Sequence, residues 1–243
     1  MATRSDQAIV LRLSDYSETS QIVTLFTATN GLARLIAKGV RRGSRTRTAV
    51  GLDLLEHGEL SYAPPRGQAG LGTLTEWVQR DAFIGLRSAP LGLYGGLYAA
   101  ELVSALTEEY DSHPPLFTAL LSTLRELVQM QDPAATIVRF QINLADAIGY
   151  GPNLDECVGC GRPGGQGGPV HFSSTAGGLL CRDCEMHHVE KRRVSAAMLA
   201  QPPSAGPTGQ WFELLDYHFS QVAGRSFKAA EWIRALLAGR PRR

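Results

Sequence analysis

Long apolar runs are missing from this chain. No eighteen consecutive apolar residues occur, so there is no candidate transmembrane helix. The opening MATRSDQAIVLRLSDY has no apolar stretch long enough for the core of a signal peptide. The expectation is a soluble, cytoplasmic protein. Aromatic residues are scarce at 7% and charged ones at 19%, but 44% is hydrophobic, so real cores are within reach and disorder is not indicated. Cysteine is absent outside one short segment, Cys157–Cys184, which holds all four; a secreted framework would spread them through the domain. Acidic residues are absent from Thr19 to Leu52, although they number 23 in 243 overall and about three would be expected there. Net charge is only +1, so this is a local segregation of sign. Within the gap stand Arg34, Lys38, Arg41, Arg42, Arg45 and Arg47. A loop-borne positive patch of this kind is a natural seat for a phosphate backbone.

The first eighty residues read as strands. Ala8–Leu13, Gln21–Ala28 and Leu32–Lys38 alternate or run apolar with β-branched residues, and Leu52–Tyr62 and Leu71–Val78 supply two more. Asn30-Gly31 marks a hairpin, because both positions tolerate positive φ. Five short strands without a long helical pattern predict a small barrel; an OB-fold is the commonest version that binds nucleic acid, and another small barrel is the alternative. After Asp81 the period changes. Leu91–Tyr110, Pro115–Met130 and Pro133–Ile148 carry apolar residues at helical spacing with proline near each start, and Trp211–Val222 and Lys228–Leu237 resume that pattern near the end. The apolar positions Leu93, Leu97, Leu102 and Leu106 are read as core. The predicted class is α+β multi-domain. It comprises a barrel over 1–80, a helical domain over 81–150 and 189–243, and a cysteine module over 151–188 inserted between its helices.

Cys157-Val-Gly-Cys160 and Cys181-Arg-Asp-Cys184 form C-x2-C-x20-C-x2-C. Two such knuckles bring four thiolates within reach of one tetrahedral ion, and Gly159 and Gly161 ease the tight backbone around the first. The glycine-rich middle of the spacer lets it be long at little entropic cost. One structural zinc per chain is the reading, with two disulfides or four free thiols as alternatives. Four thiolates would fill the coordination shell and leave no position for catalytic water. His171, His187 and His188 lie close enough in sequence for one to replace a cysteine, and an exposed or supporting role is the alternative.

A case for catalysis does not emerge. Leu91-Gly-Leu-Tyr-Gly-Gly-Leu97 and Gly164-Gly-Gln-Gly-Gly168 lack the lysine ending of a phosphate loop, and neither follows a parallel strand. They read as close helix packing and a flexible loop. Glu108-Glu109 and Asp155-Glu156 read as solvated charge, and no nucleophile elbow or zinc-protease motif occurs. The basic residues are the better lead. Glycines 39 and 43 let backbone N–H groups approach phosphate, and arginine forks grip it bidentately.

Around those residues the chain resembles a known family. Ala8-Ile-Val-Leu-Arg-Leu-Ser-Asp-Tyr-Ser-Glu-Thr-Ser20, Val23-Thr-Leu-Phe-Thr27, Asn30-Gly-Leu32 and Ala37-Lys-Gly-Val-Arg-Arg-Gly-Ser-Arg45 look like RecO, the bacterial recombination mediator. The order of barrel, helices, CxxC…CxxC insert and short final helices matches as well. The resemblance implies an N-terminal OB-fold and sequence-neutral binding of single- and double-stranded DNA. It also implies annealing of complementary strands, and action with RecR to load recombinase onto DNA coated by single-strand-binding protein, with RecF as a further candidate partner. It implies no nucleotide, no membrane and a nucleoid-associated cytoplasmic site. By position it puts DNA contact on Lys38, Arg41, Arg42 and Arg45, and zinc on Cys157, Cys160, Cys181 and Cys184. The alternative is a zinc-stabilised adaptor whose main role is protein contact in a repair complex. Lys191-Arg192-Arg193 and the terminal Arg234, Arg240, Arg242 and Arg243 are read as solvated charge, with an extension of the DNA surface as the alternative.

Overall fold

In the computed structural model of the chain the described residues are 3–38, 52–65, 70–164, 170–203 and 206–239. They divide into two compact units, Met1–Met130 and Gln131–Arg243. The first unit contains the barrel. Its strands are β1 (Arg4–Asp15), β2 (Ser20–Thr27), β3 (Gly31–Lys38), β4 (His57–Ala63) and β5 (Gly72–Asp81). They close in the order β1-β2-β3-β5-β4, the OB arrangement, with β3 and β5 the parallel pair at Leu35–Ala37 against Gly72–Leu74. The predicted five-stranded barrel is therefore present.

Alternation fills the interior. Ala8 and Val10, Val23 and Leu25, Ala33, Leu35 and Ala37, Leu60 and Tyr62, and Leu74 and Trp77 form one buried cluster, each strand giving every second residue with one irregularity in β5. β1 is buried on both faces from Ala8 to Leu11, where helices of the same unit pack outside the barrel. These are α1 (Pro90–Leu106) and α2 (Pro114–Gln129), each opened by a proline that fixes the first helical φ. Phe117 of α2 meets Phe26 and His57 at ring centroid distances of 6.3 and 6.2 Å. The glycines of α1 serve close packing, as expected: a Cβ on Gly96 would lie 2.8 Å from Leu55 and 3.1 Å from Leu124. Leu102 is fully buried, whereas Leu93, Leu97 and Leu106 are only half-buried, because the core face is formed by the small residues Gly92, Gly95, Gly96, Ala99 and Ala100 with Tyr98 and Val103.

Three boundaries differ from expectation for local reasons. β4 begins at His57 rather than Leu52, because the preceding segment turns around a bulge in β1. There Leu55 takes φ 68°, its N–H donates to the Val10 carbonyl, and Val10 donates to that of Glu56. α1 stops at Leu106, since Thr107 is extended and both its N–H and hydroxyl return to the Val103 carbonyl. At the β2–β3 hairpin Gly31 has positive φ (66°) but Asn30 does not. Thr27 pairs with Gly31, so the loop has three residues instead of two. The Asp6 carboxylate accepts from Thr29 and Asn30 and holds this loop.

The second unit is built on α3 (Pro133–Ala147), α5 (Thr208–Ala223) and α6 (Lys228–Leu237), with a single-turn helix α4 (Ala196–Leu199). Between α3 and α4 lies a four-stranded sheet that the sequence reading did not anticipate: β6 (Asn153–Cys157), β7 (Val170–Ser173), β8 (Gly178–Leu180) and β9 (Arg192–Val194), in the order β6-β8-β7-β9. Buried polar groups tie it to α5. His218 accepts from or donates to Ser174 Oγ at 2.8 Å and reaches the Tyr150 carbonyl at 2.8 Å. Since a carbonyl only accepts, Nε2 carries the proton and Nδ1 accepts from the serine. The Glu190 carboxylate accepts from Ser173, Thr175 and Tyr217. Burial works against its charge, but these donors outweigh it and hold Glu190 at about 2. Arg234 of α6 bonds Glu213 and Asp216 of α5.

Two outcomes follow from these contacts. A Cβ on Gly31 would lie 1.7 Å from the Asp111 carbonyl oxygen, so Gly31→Ala should cost at least about 2 kcal/mol in urea unfolding followed by Trp77 fluorescence in a background where Trp211 and Trp232 are replaced by Phe. Burial lowers the pKa of His218 from its ordinary 6.5, so the unfolded chain binds the extra proton more readily. Its stabilising share should be complete above about pH 6.5 and decline as the pH falls below that value. Unfolding curves across pH 5–8 should show this slope in the native protein and a weaker one in His218→Gln.

Candidate functional site

The outer face of β1, β2 and β3 is set by the same alternation that fills the barrel. On β3, Leu35 and Ala37 point inward and Arg34 and Lys38 are exposed, with half-buried Ile36 between them. Cross-strand register brings Arg12 of β1 beside Thr24 of β2, and Thr24 beside Arg34. Ser14, Ile22 and Ile36 form the next row, and Ser20 and Lys38 the last. Two of the predicted contact residues, Arg34 and Lys38, thus share one sheet face. Arg41, Arg42, Arg45 and Arg47 lie outside the described residues. Arg12 was missed by the sequence reading; its signal was the polar break in Leu11-Arg12-Leu13, where one residue of an apolar run faces out.

Arg34 is not free on this face. Its guanidinium lies 3.4 Å from the Glu109 carboxylate, both groups about half exposed. Glu109 arrives on the segment after α1, which lies along the hairpin. Tyr110 N–H donates to the Leu32 carbonyl at 2.9 Å, and Ser112 Oγ donates to that of Thr29 at 2.7 Å. Glu108-Glu109, read as solvated charge, therefore includes a partner of the basic patch. Of the barrel's aromatics, Phe26, Tyr62 and Trp77 are buried and only Tyr16 is well exposed, at 59%.

The second site is the cysteine cluster. Cys157 ends β6, Cys181 follows β8, and their two sulfurs, with those of Cys160 and Cys184, all lie within 4.8 Å of one another. All four are free thiols, and Cys160 and Cys181 sulfurs are 3.7 Å apart. A tetrahedral thiolate site with metal–sulfur bonds of about 2.3 Å has edges near 3.8 Å, so the set fits a metal ion. Burial raises the Cys157 thiol, but the backbone N–H groups of Cys181, Gly159 and Cys160 more than offset this and bring it to about 6. Cys184, bonded to the thiols of Cys181, Cys160 and Cys157, is pushed up to about 12. A Cβ on Gly159 would come 3.0 Å from Cys184 Sγ, and Gly161 has φ 72°, so both expected glycines are needed where they stand.

The histidines do not join the cluster. His171 Nδ1 faces Glu185 at 3.5 Å, a carboxylate that also binds Lys191 at 2.7 Å, and His187 is exposed. Among the other cations, Arg192 donates to the Glu213 carbonyl and stacks 5.0 Å from the Tyr217 ring centre, while Arg234 bonds Glu213 and Asp216. These are held by their own unit; Arg240, Arg242 and Arg243 lie outside the described residues. No described helix is long and apolar enough to cross a membrane.

A closed OB-type barrel with a cationic strand face and a helical unit with a four-thiol centre define an α+β multi-domain protein. Residues 1–83 match the family model described as Recombination protein O N terminal, and residues 87–206 match Recombination protein O C terminal. The DNA repair protein RecO of Bacillus pumilus (strain SAFR-032) is 32% identical over 245 residues, spanning 95% of this chain and 93% of its own. Those of Halalkalibacterium halodurans and Bacillus subtilis (strain 168) are each 33% identical over 178 residues, spanning 73% of this chain and 67% of theirs. The chain belongs to the RecO family of DNA repair proteins.

The cluster should take up about one equivalent of a divalent thiophilic ion. Cobalt(II) added to the reduced full chain should give the absorption of a tetrahedral thiolate site, and Cys184→Ser should weaken or abolish it. An octahedral spectrum would reject the assignment.

Proposed function

We propose that this chain is a recombination mediator. It binds single- and double-stranded DNA without sequence preference, anneals complementary strands, and acts with RecR to load recombinase onto DNA covered by single-strand-binding protein. The observation that carries the reading is the exposed cationic face of β3 on an OB-type barrel, in a chain of the RecO family. The DNA-contact residues in this reading are Arg34, Lys38, Arg41, Arg42, Arg45 and Arg47. Base stacking contributes little, because three of the barrel's four aromatics are in the core. Binding is dominated by phosphate, as suits annealing of any sequence.

The four-cysteine centre holds one structural zinc in this reading. Its role is to fold the small sheet, whose strands of three to five residues bury too little to stand alone. No step of the activity is chemical, so the protein acts as a binding device rather than an enzyme, in the cytoplasm with the nucleoid.

Charge reversal tests this. Lys38→Glu with Arg41→Glu and Arg42→Glu should abolish annealing in a fluorescence assay while leaving RecR binding intact. In the native protein, neutralising four to six phosphates should give log K against log salt a slope of roughly −3 to −4 on single strands. Unchanged affinity in the triple variant, or a slope near zero, would instead favour an adaptor role. A chelator in the same assay separates the barrel's part from that of the metal.

A further inference from the structure

We propose that Arg12 is a further phosphate contact on the barrel, and that Glu109 restrains the same surface by occupying Arg34. The inference rests on the DNA-binding reading above. Arg12, Thr24 and Arg34 occupy one cross-strand row, so the two guanidinium-bearing residues stand two strand spacings apart, about 10 Å. Lys38 lies four residues along β3 from Arg34, about 13 Å away. The three cations frame the half-buried pair Ile22 and Ile36, which face each other across β2 and β3. A strand crossing β1 to β3 can therefore place phosphates on the arginines at either side of Thr24 and lay sugar against the isoleucines of the adjacent row.

The Glu109 strap bounds this face at its hairpin end. The Leu32 carbonyl, the Thr29 carbonyl and the close approach of Asp111 over Gly31 fix its backbone, so the carboxylate is delivered to Arg34 rather than drifting near it. Phosphate must displace Glu109 to reach Arg34. A half-exposed pair is weak, so the restraint is a modest one and softens as salt rises.

The test uses the full chain and a fluorescein-labelled poly(dT) oligonucleotide. Arg12→Ala should make the slope of log K against log salt shallower by about 0.7, and Arg12→Lys should keep the native slope. Glu109→Gln should tighten binding roughly two- to five-fold at low salt. That gain should vanish when Arg34→Ala is also present, because the coupling runs through that pair. All three positions are surface groups, and melting curves should overlay the native one. A native slope in Arg12→Ala, or a Glu109→Gln gain that survives Arg34→Ala, overturns this inference alone. If the native protein does not bind the oligonucleotide, the DNA-binding reading falls and takes this one with it.

Discussion

The parallel contact between β3 and β5 is the one junction of the barrel that no hairpin can make. Every other neighbouring pair is antiparallel. Without the three residue pairs at Leu35–Ala37 the sheet would be open, with two edges and an exposed interior. Closure decides which side of each strand is inside. Once Leu35 must join Leu25 and Leu60 in the interior, Arg34 and Lys38 have no choice but to face water. The cationic surface is thus a by-product of the seam.

The same closure explains why so few aromatics are available to nucleic acid. A barrel of five short strands has a narrow interior, and large rings fill it efficiently: Tyr62 is fully buried, and Trp77 nearly so. Phe26 is buried from the other side, under α2. Small barrels that bind by stacking must place extra rings outside; here the outer positions of β2 and β3 that helices leave uncovered carry isoleucine, threonine, serine and cations. In the proposed reading electrostatics is left as the main source of affinity, with the strap after α1 as its restraint at one end.

Much of this was legible in the residues. Period-two and period-3.6 patterns located five strands and five helices, since long elements repeat their signal many times. The four cysteines identified themselves by spacing, and the structure brings them together. What was not legible depended on distant meeting. Arg34 and Glu109 are 75 positions apart, and nothing local in either predicts the other. The sheet β6–β9 escaped because strands of three to five residues are too short for a period to show. The Arg12 position was hidden by a bulge, which shifts the alternation of β1 between Val10 and Arg12 and makes its outward residue look like an interruption of an apolar run.

The four thiols are not equally sheltered. Cys157 is buried beside β8 and held by backbone donors, Cys181 and Cys184 are half-buried, and Cys160 stands exposed at the corner. A bound ion would therefore have a weak corner and a strong one. Competing chelators and oxidants would meet Cys160 first, and the remaining three sulfurs would hold the ion while that corner opened and closed. Exchange would proceed stepwise from the surface inward, so the lifetime of the centre would be governed by the exposure of one sulfur rather than by the total strength of four bonds.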